Sequence, residues 1–139
     1  MILVWCDLVG LFSKNPKDSE RKQASQKKKE LRKLVKQKQY DAALKIGTEI
    51  LQKNPYENDV SFIVGGIYYM KSKYKSAISY FEKALEIATF DTDVLILKAN
   101  SHYYIGEHKQ AIQCCAKIRE IDPKNKAVSE LLSKIESAK

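Results

Sequence analysis

Cysteine, proline, glycine and histidine are all scarce in this chain of 139 residues, and each scarcity removes a class of answer. The three cysteines, Cys6, Cys114 and Cys115, are odd in number and two are adjacent, so no disulfide framework is built from them and a reducing compartment is expected. No cysteine or histidine pair stands at zinc-ligand spacing, and no metal site is expected. The two histidines, His102 and His108, have no carboxylate at the spacing of a helical metal pair, and nothing in the sequence places a cysteine nucleophile beside either. No catalytic residue and no cofactor-binding residue can therefore be nominated, and the chain is expected not to be an enzyme and to need no cofactor. Three prolines and five glycines permit long helices and argue against a many-turned β architecture. No run of 18 apolar residues occurs, so no conventional membrane-spanning helix is written into the chain.

What is abundant is lysine, and it is unevenly placed. Residues 1–38 carry eleven Lys/Arg against four Asp/Glu, a balance of +7, whereas residues 39–139 carry fourteen against thirteen. The basic character belongs to the N-terminal segment, and the remainder is nearly neutral.

The remainder keeps a beat of 34 residues. "YDAALKIGTEILQKNP" from Tyr40, "YKSAISYFEKALEIAT" from Tyr74 and "HKQAIQCCAKIREIDP" from His108 align without a gap, with Ala43, Ala77 and Ala111 at the fourth place of each. Upstream of each block lies a second apolar pattern at helical spacing: Leu31, Leu34 and Val35; Val64, Ile67 and Tyr68; Leu95, Ala99 and His102. Each unit reads as two amphipathic helices joined by a tight turn, "KQ", "SK" or "GE", where Gly106 suits a helix C-terminus. Ala127, Leu131, Leu132 and Ile135 form a further stripe, fitted to cover the apolar edge that a stacked array leaves at its end.

The middle unit resembles the tetratricopeptide repeat. Val64, Gly65 and Tyr68 match its L-G-x2-Y, and Ala77, Phe81 and Ala84 match its A-x3-F-x2-A, with Ser61 in place of tryptophan and Thr89 in place of proline. The third copy is looser and the first loosest. The resemblance implies an all-α fold: a right-handed superhelix of three helix-turn-helix repeats plus a C-terminal capping helix. The expected division is an apolar then basic segment with a linker over 1–23, repeats over 24–57, 58–91 and 92–125, and the cap over 126–139. The linker "SKNPKDSE" is expected to end in a helix N-cap near Asp18 or Ser19.

In that family the first helix of each pair lines a concave groove that receives another protein. Carried onto this register, the groove residues are Lys28, Arg32 and Lys36; Phe62, Tyr69 and Met70; and Ile96, Asn100, Tyr103 and Tyr104, with Val35 and Gly66 beside them. Tyr68, Tyr74, Phe81 and Ala84 fall at packing places instead. Some members grip a partner's C-terminal carboxylate with Lys and Asn at fixed groove places; here Phe62, Gly66 and Ile96 occupy three of these, so that clamp is not expected. Gly65-Gly66 sits within a helical pattern with no strand before it, so a phosphate loop is not expected either. Of Cys114-Cys115, one thiol is expected to pack and the other to lean aside.

The resulting expectation is a non-enzymatic adaptor or assembly scaffold in the cytoplasm, binding a peptide or helix of apolar and partly acidic character in the groove. Three further readings stay open. The basic N-terminal region and the groove tyrosines could bind RNA. The groove or the N-terminal segment could mediate self-association, including filling of the groove by the chain's own N-terminus. Residues 1–13, with Trp5, Leu8, Leu11 and Phe12 followed by cations, could make peripheral contact with a membrane.

Overall fold

The computed structural model describes residues 15–138, and every described element is a helix. They are α1 (Pro16–Lys36), α2 (Tyr40–Lys53), α3 (Asn58–Met70), α4 (Tyr74–Ile87), α5 (Thr92–Tyr104), α6 (His108–Ile121) and α7 (Lys126–Ser137). Each packs chiefly on its neighbours in sequence, and α3 also touches α5 as α5 touches α7. The fold is the expected right-handed superhelix of paired helices closed by a terminal one.

The turns inside the three pairs are copies of one device. Lys38, Ser72 and Gly106 adopt φ values of 58°, 60° and 80°, each two residues beyond its helix. In each copy the amide of the following residue donates back five places, Gln39 to Leu34, Lys73 to Tyr68 and Glu107 to His102, all at 2.9 Å. Each left-handed residue itself donates at 3.0 Å, to Val35, Tyr69 and Tyr103 respectively. This is the Schellman ending, which satisfies carbonyls that a helix end leaves free. Only the third copy uses glycine, for which the left-handed region carries no steric cost.

Small residues set how closely the helices approach. A Cβ on Gly47 of α2 would lie 2.6 Å from Val64 Cγ2, and one on Gly65 of α3 would lie 2.7 Å from Phe81 Cε1. Around these contacts the core forms three consecutive clusters. The first joins Leu31, Ala43, Ile50, Val60 and Val64; the second joins Ala77, Phe81, Ala84 and Val94; the third joins Leu95, Ala99, Ala111, Ile118 and Ile135.

Three expectations need correction. Helix α1 begins at Pro16, with the Asn15 side chain accepting from the Lys17 amide, so residues 16–23 are helix and not linker. Proline at the first helical position is pre-set for that conformation, which moves the start ahead of Asp18 and Ser19. Ser13, Lys14 and the apolar opening of the chain lie outside the described residues. Both thiols of Cys114-Cys115 are buried, because α6 is covered by α5 on one side and α7 on the other. Burial pushes both thiols above their ordinary pKa. On α7 the deeply buried stripe is Val128, Leu131 and Ile135, and Ala127 is only half-buried.

Candidate functional site

Helix α3 presents two unlike faces. Val60, Val64 and Ile67 are turned into the first core cluster, and Gly65 lets α4 approach. On the other side Gly66 leaves open space, with nothing within 4 Å of where its Cβ would stand. That gap forms part of a cavity of about 420 Å³, lined by Val35 of α1, Tyr40 of α2, Leu97 of α5 and a run along α3: Phe62, Ile63, Gly66, Ile67, Tyr69 and Met70. None of the nine residues is charged. A concave, apolar recess of this size falls in the range that binding pockets occupy, roughly 300–1,000 Å³.

Of the residues assigned to the groove from register, Phe62, Tyr69 and Met70 line this cavity together, with Val35 and Gly66. Met70 is 64% exposed at the edge of the cavity. Phe62 and Tyr69 are half-buried and also pack against the second core cluster. Sequence reasoning missed Tyr40, Ile63, Ile67 and Leu97. The signal for Leu97 was present in the repeat, since it stands 34 residues after Ile63. The side chain of Ile96 packs against the third core cluster, so the neighbouring Leu97 supplies α5's contribution to the cavity.

The other nominated residues form two flanking arrangements. Towards α5, Tyr104 stacks on Tyr74 with ring centroids 4.8 Å apart, and Tyr69 meets both at 6.3 and 5.5 Å. Tyr103 stands edge-on to Tyr104 and stacks on His108 at 5.6 Å. Tyr74 therefore belongs to the aromatic array as well as to the packing place its register implies. Burial, followed by the neighbouring phenols of Tyr104 and Tyr74, pushes the Tyr69 phenol above its ordinary pKa. Asn100 is half-buried beside this array.

Towards α1 the cations are already engaged. Lys28 pairs with Glu57 and lies 3.5 Å from Asp59, and Arg32 Nη2 lies 3.1 Å from Asp59 Oδ2. Burial lowers the Lys28 pKa, but the hydrogen bond to Glu57 and the charges of Asp59 and Glu57 outweigh it and hold the ammonium above its ordinary value. Lys36 is exposed and makes no ion pair among the described residues. No group of three or more His, Cys, Asp or Glu side chains able to hold a metal occurs among the described residues.

Paired helices on a 34-residue period, Schellman turns at each repeat and a concave face carried by the first helices define a tetratricopeptide-repeat protein, a class of protein-interaction modules. Residues 36–118 match the family model described as subunit 3 of the anaphase-promoting complex, cyclosome, and the chain belongs to that family. No curated protein matches the sequence. Among solved structures, the first tetratricopeptide domain of Spaghetti (RPAP3) bound to the HSP90 peptide SRMEEVD is 22% identical, with a TM-score of 0.76 over 83% of this chain and 91% of that one. The second such domain of human RPAP3, in complex with the HSP70 peptide SGPTIEEVD, is 19% identical with a TM-score of 0.76 over 84% and 97% of the two chains. The Arabidopsis OM64 domain is 15% identical, again at 0.76, over 84% and 96%. At these identities the likeness is one of fold.

Proposed function

We propose that the chain is a non-enzymatic adaptor or assembly scaffold of the cytoplasm that holds an apolar segment of another protein in the groove along α3. The observation that carries this reading is the uncharged cavity lined by Phe62, Gly66, Tyr69, Met70 and Leu97. An extended or helical segment with one large apolar side chain would seat it over Gly66, and Met70 can adapt its shape to that side chain. Tyr103 and Tyr104 extend the same surface, and Asn100 offers an amide for the segment's backbone.

Two solved relatives by fold hold peptides ending in EEVD. A ligand of that kind does not suit this groove, because it brings carboxylates to a surface where Lys28 and Arg32 are already paired with Glu57 and Asp59. The apolar part of the expected partner draws on the cavity, and an acidic part would have Lys36, exposed and without an ion pair among the described residues, left to meet it. The family's namesake is a subunit of a multiprotein complex, in keeping with a scaffold role.

The test is Gly66→Leu, which extends a side chain into the cavity from a Cβ that has nothing within 4 Å. Partners captured from the native host by the wild-type chain and identified by mass spectrometry are expected to be lost with the variant. A synthetic segment of such a partner should bind the wild type in calorimetry and bind the variant at least tenfold more weakly. Equal binding to both, with the variant's helical signal intact, would remove the groove from the function.

A further inference from the structure

The groove is unevenly charged along its length. Places 34 residues apart put Arg32, Gly66 and Asn100 in one row across the first helices of the repeats. Lys36, Met70 and Tyr104 form the next row, one helical turn closer to the tight turns. Both rows begin in a cation of α1, but the two cations differ in state. Arg32 is held 3.1 Å from Asp59, and Lys28, one turn before it, is paired with Glu57. Lys36 is exposed and has no ion pair among the described residues. The ion pair of Lys71 with Asp41 ties the next turn against this one, and so adds Lys73 to Lys36 and Lys38. Residues 36–41 and 70–74 hold four lysines and one acid. That acid is Asp41, which bonds Lys71 and feels the charge of Lys73 as well. The surplus borders the uncharged cavity, since Val35 and Met70, the neighbours of Lys36 and Lys71, line it. Across the cavity the surplus is not repeated. Asn100 and Tyr104 carry no charge, and Glu107, balanced by Lys109, stands where the second repeat has Lys73. On α5 itself Lys98 is paired with Glu82, and Asp93 is exposed.

We propose that the partner of this groove is a protein segment of one-sided charge. It seats a large apolar side chain over Gly66, sets Asp or Glu against Lys36, Lys38 and Lys73, and carries no acid on the side towards α5. The proposal rests on the groove being the binding surface, and adds what must stand beside the apolar anchor. First helices of neighbouring repeats lie side by side roughly 10 Å apart, and an extended chain advances about 3.4 Å per residue, so the acid belongs about three residues from the anchor. Charge at such a rim speeds encounter and rejects segments of the wrong sign, while the cavity supplies most of the affinity. Peptides ending in EEVD, held by two relatives in fold, have acid on both sides of their valine and lack this one-sidedness. A single strand of nucleic acid repeats its charge at every nucleotide. It would carry that charge on to α5, where no surplus of cations meets it.

Selection of random dodecapeptides displayed on phage against the full chain tests this. Enriched peptides are expected to hold Trp, Phe, Leu or Met with Asp or Glu two to four residues to one side. In calorimetry with one such synthetic peptide, Lys36→Gln combined with Lys38→Gln and Lys73→Gln should weaken binding about tenfold. Exchanging the peptide's acids for amides should cost as much against the wild type and little against the lysine variant. High salt should weaken the wild type and leave the variant nearly unchanged. No enrichment, enriched peptides without acid or with acid on both sides, or binding that ignores both salt and the lysine substitutions would overturn the proposal. If Gly66→Leu still abolishes that binding, the groove stands and only its one-sided charge falls. Peptides that bind Gly66→Leu as well as the wild type would remove the groove itself. Polyuridylate that displaces the peptide through the same lysines at lower concentration would also overturn the proposal. The substituted lysines are exposed, and circular dichroism should report unchanged helix. If it does not, the acid-to-amide peptide against the wild type decides.

Discussion

The two faces of α3 are built from the same kinds of residue and behave in opposite ways. Gly65 and Gly66 are adjacent in a helix, yet a Cβ on the first would strike Phe81 at 2.7 Å and a Cβ on the second would meet nothing. The aromatics divide likewise: Phe81 is fully buried against α3, while Phe62 and Tyr69 are half-exposed over the cavity. One face is filled by the chain's own next helix. The other is left for something else. Apolar character alone does not separate them; position relative to the next helix does.

The closed face breaks most completely at Ala77. Its side chain has no exposure and lies in the cluster with Phe81, Ala84 and Val94. Ala77→Arg forces a cation into that space with no carboxylate to meet it, at a cost of roughly 4 kcal/mol or more. In a three-repeat array that borrows stability from neighbours, loss of the middle cluster is expected to unfold the whole. Circular dichroism should report loss of helix at room temperature. A chain that stays helical and melts normally would mean that α4 can rotate away.

The same small substitution at the paired glycines should then give opposite signs. Alanine in place of glycine within a helix is favoured by about 0.5–1 kcal/mol. At Gly66 nothing opposes that gain, and Gly66→Ala should raise the melting temperature by a few degrees. At Gly65 the Phe81 ring must move within a filled core, a cost of about 1–3 kcal/mol that outweighs the gain. Gly65→Ala should therefore lower the melting temperature, and shifts of the same sign in the two variants would refute the division of faces.

Much of this was legible in the sequence because the repeat carries its own alignment. Once Ala43, Ala77 and Ala111 are set in register, the second helices start at the aligned Tyr40, Tyr74 and His108, and the unlike roles of Gly65 and Gly66 follow. Legibility fails where the repeat is interrupted. The start of α1 lies outside the array, and local chemistry at Asn15-Pro16 sets it. The cap α7 has no later helix, so its rotation follows the third core cluster, which takes Val128 in place of Ala127. Register nominates Lys28 and Arg32 on α1, but it cannot say that Glu57 and Asp59 reach back to neutralise them. Those contacts join residues about thirty apart, and only the fold brings them together.

The smallest effect concerns the turn that carries α3 into α4, where the two faces are fixed relative to each other. Ser72 holds φ at 60°, in the place that Gly106 fills in the next repeat at 80°. A side chain there crowds the following carbonyl, at about 1 kcal/mol, and glycine removes the clash while adding freedom to the unfolded chain. Ser72→Gly should leave a net gain of about 0.5 kcal/mol, and Gly106→Ala a loss of about 1 kcal/mol, both measured by urea denaturation with unchanged m-values. Gains are expected at Ser72 and Lys38 alike, because their hydrogen bonds to the preceding helix are the same. A loss at Ser72 would mean that glycine's freedom in the unfolded chain outweighs relief of the strain, and that the turn leading into α4 is held by more than its backbone.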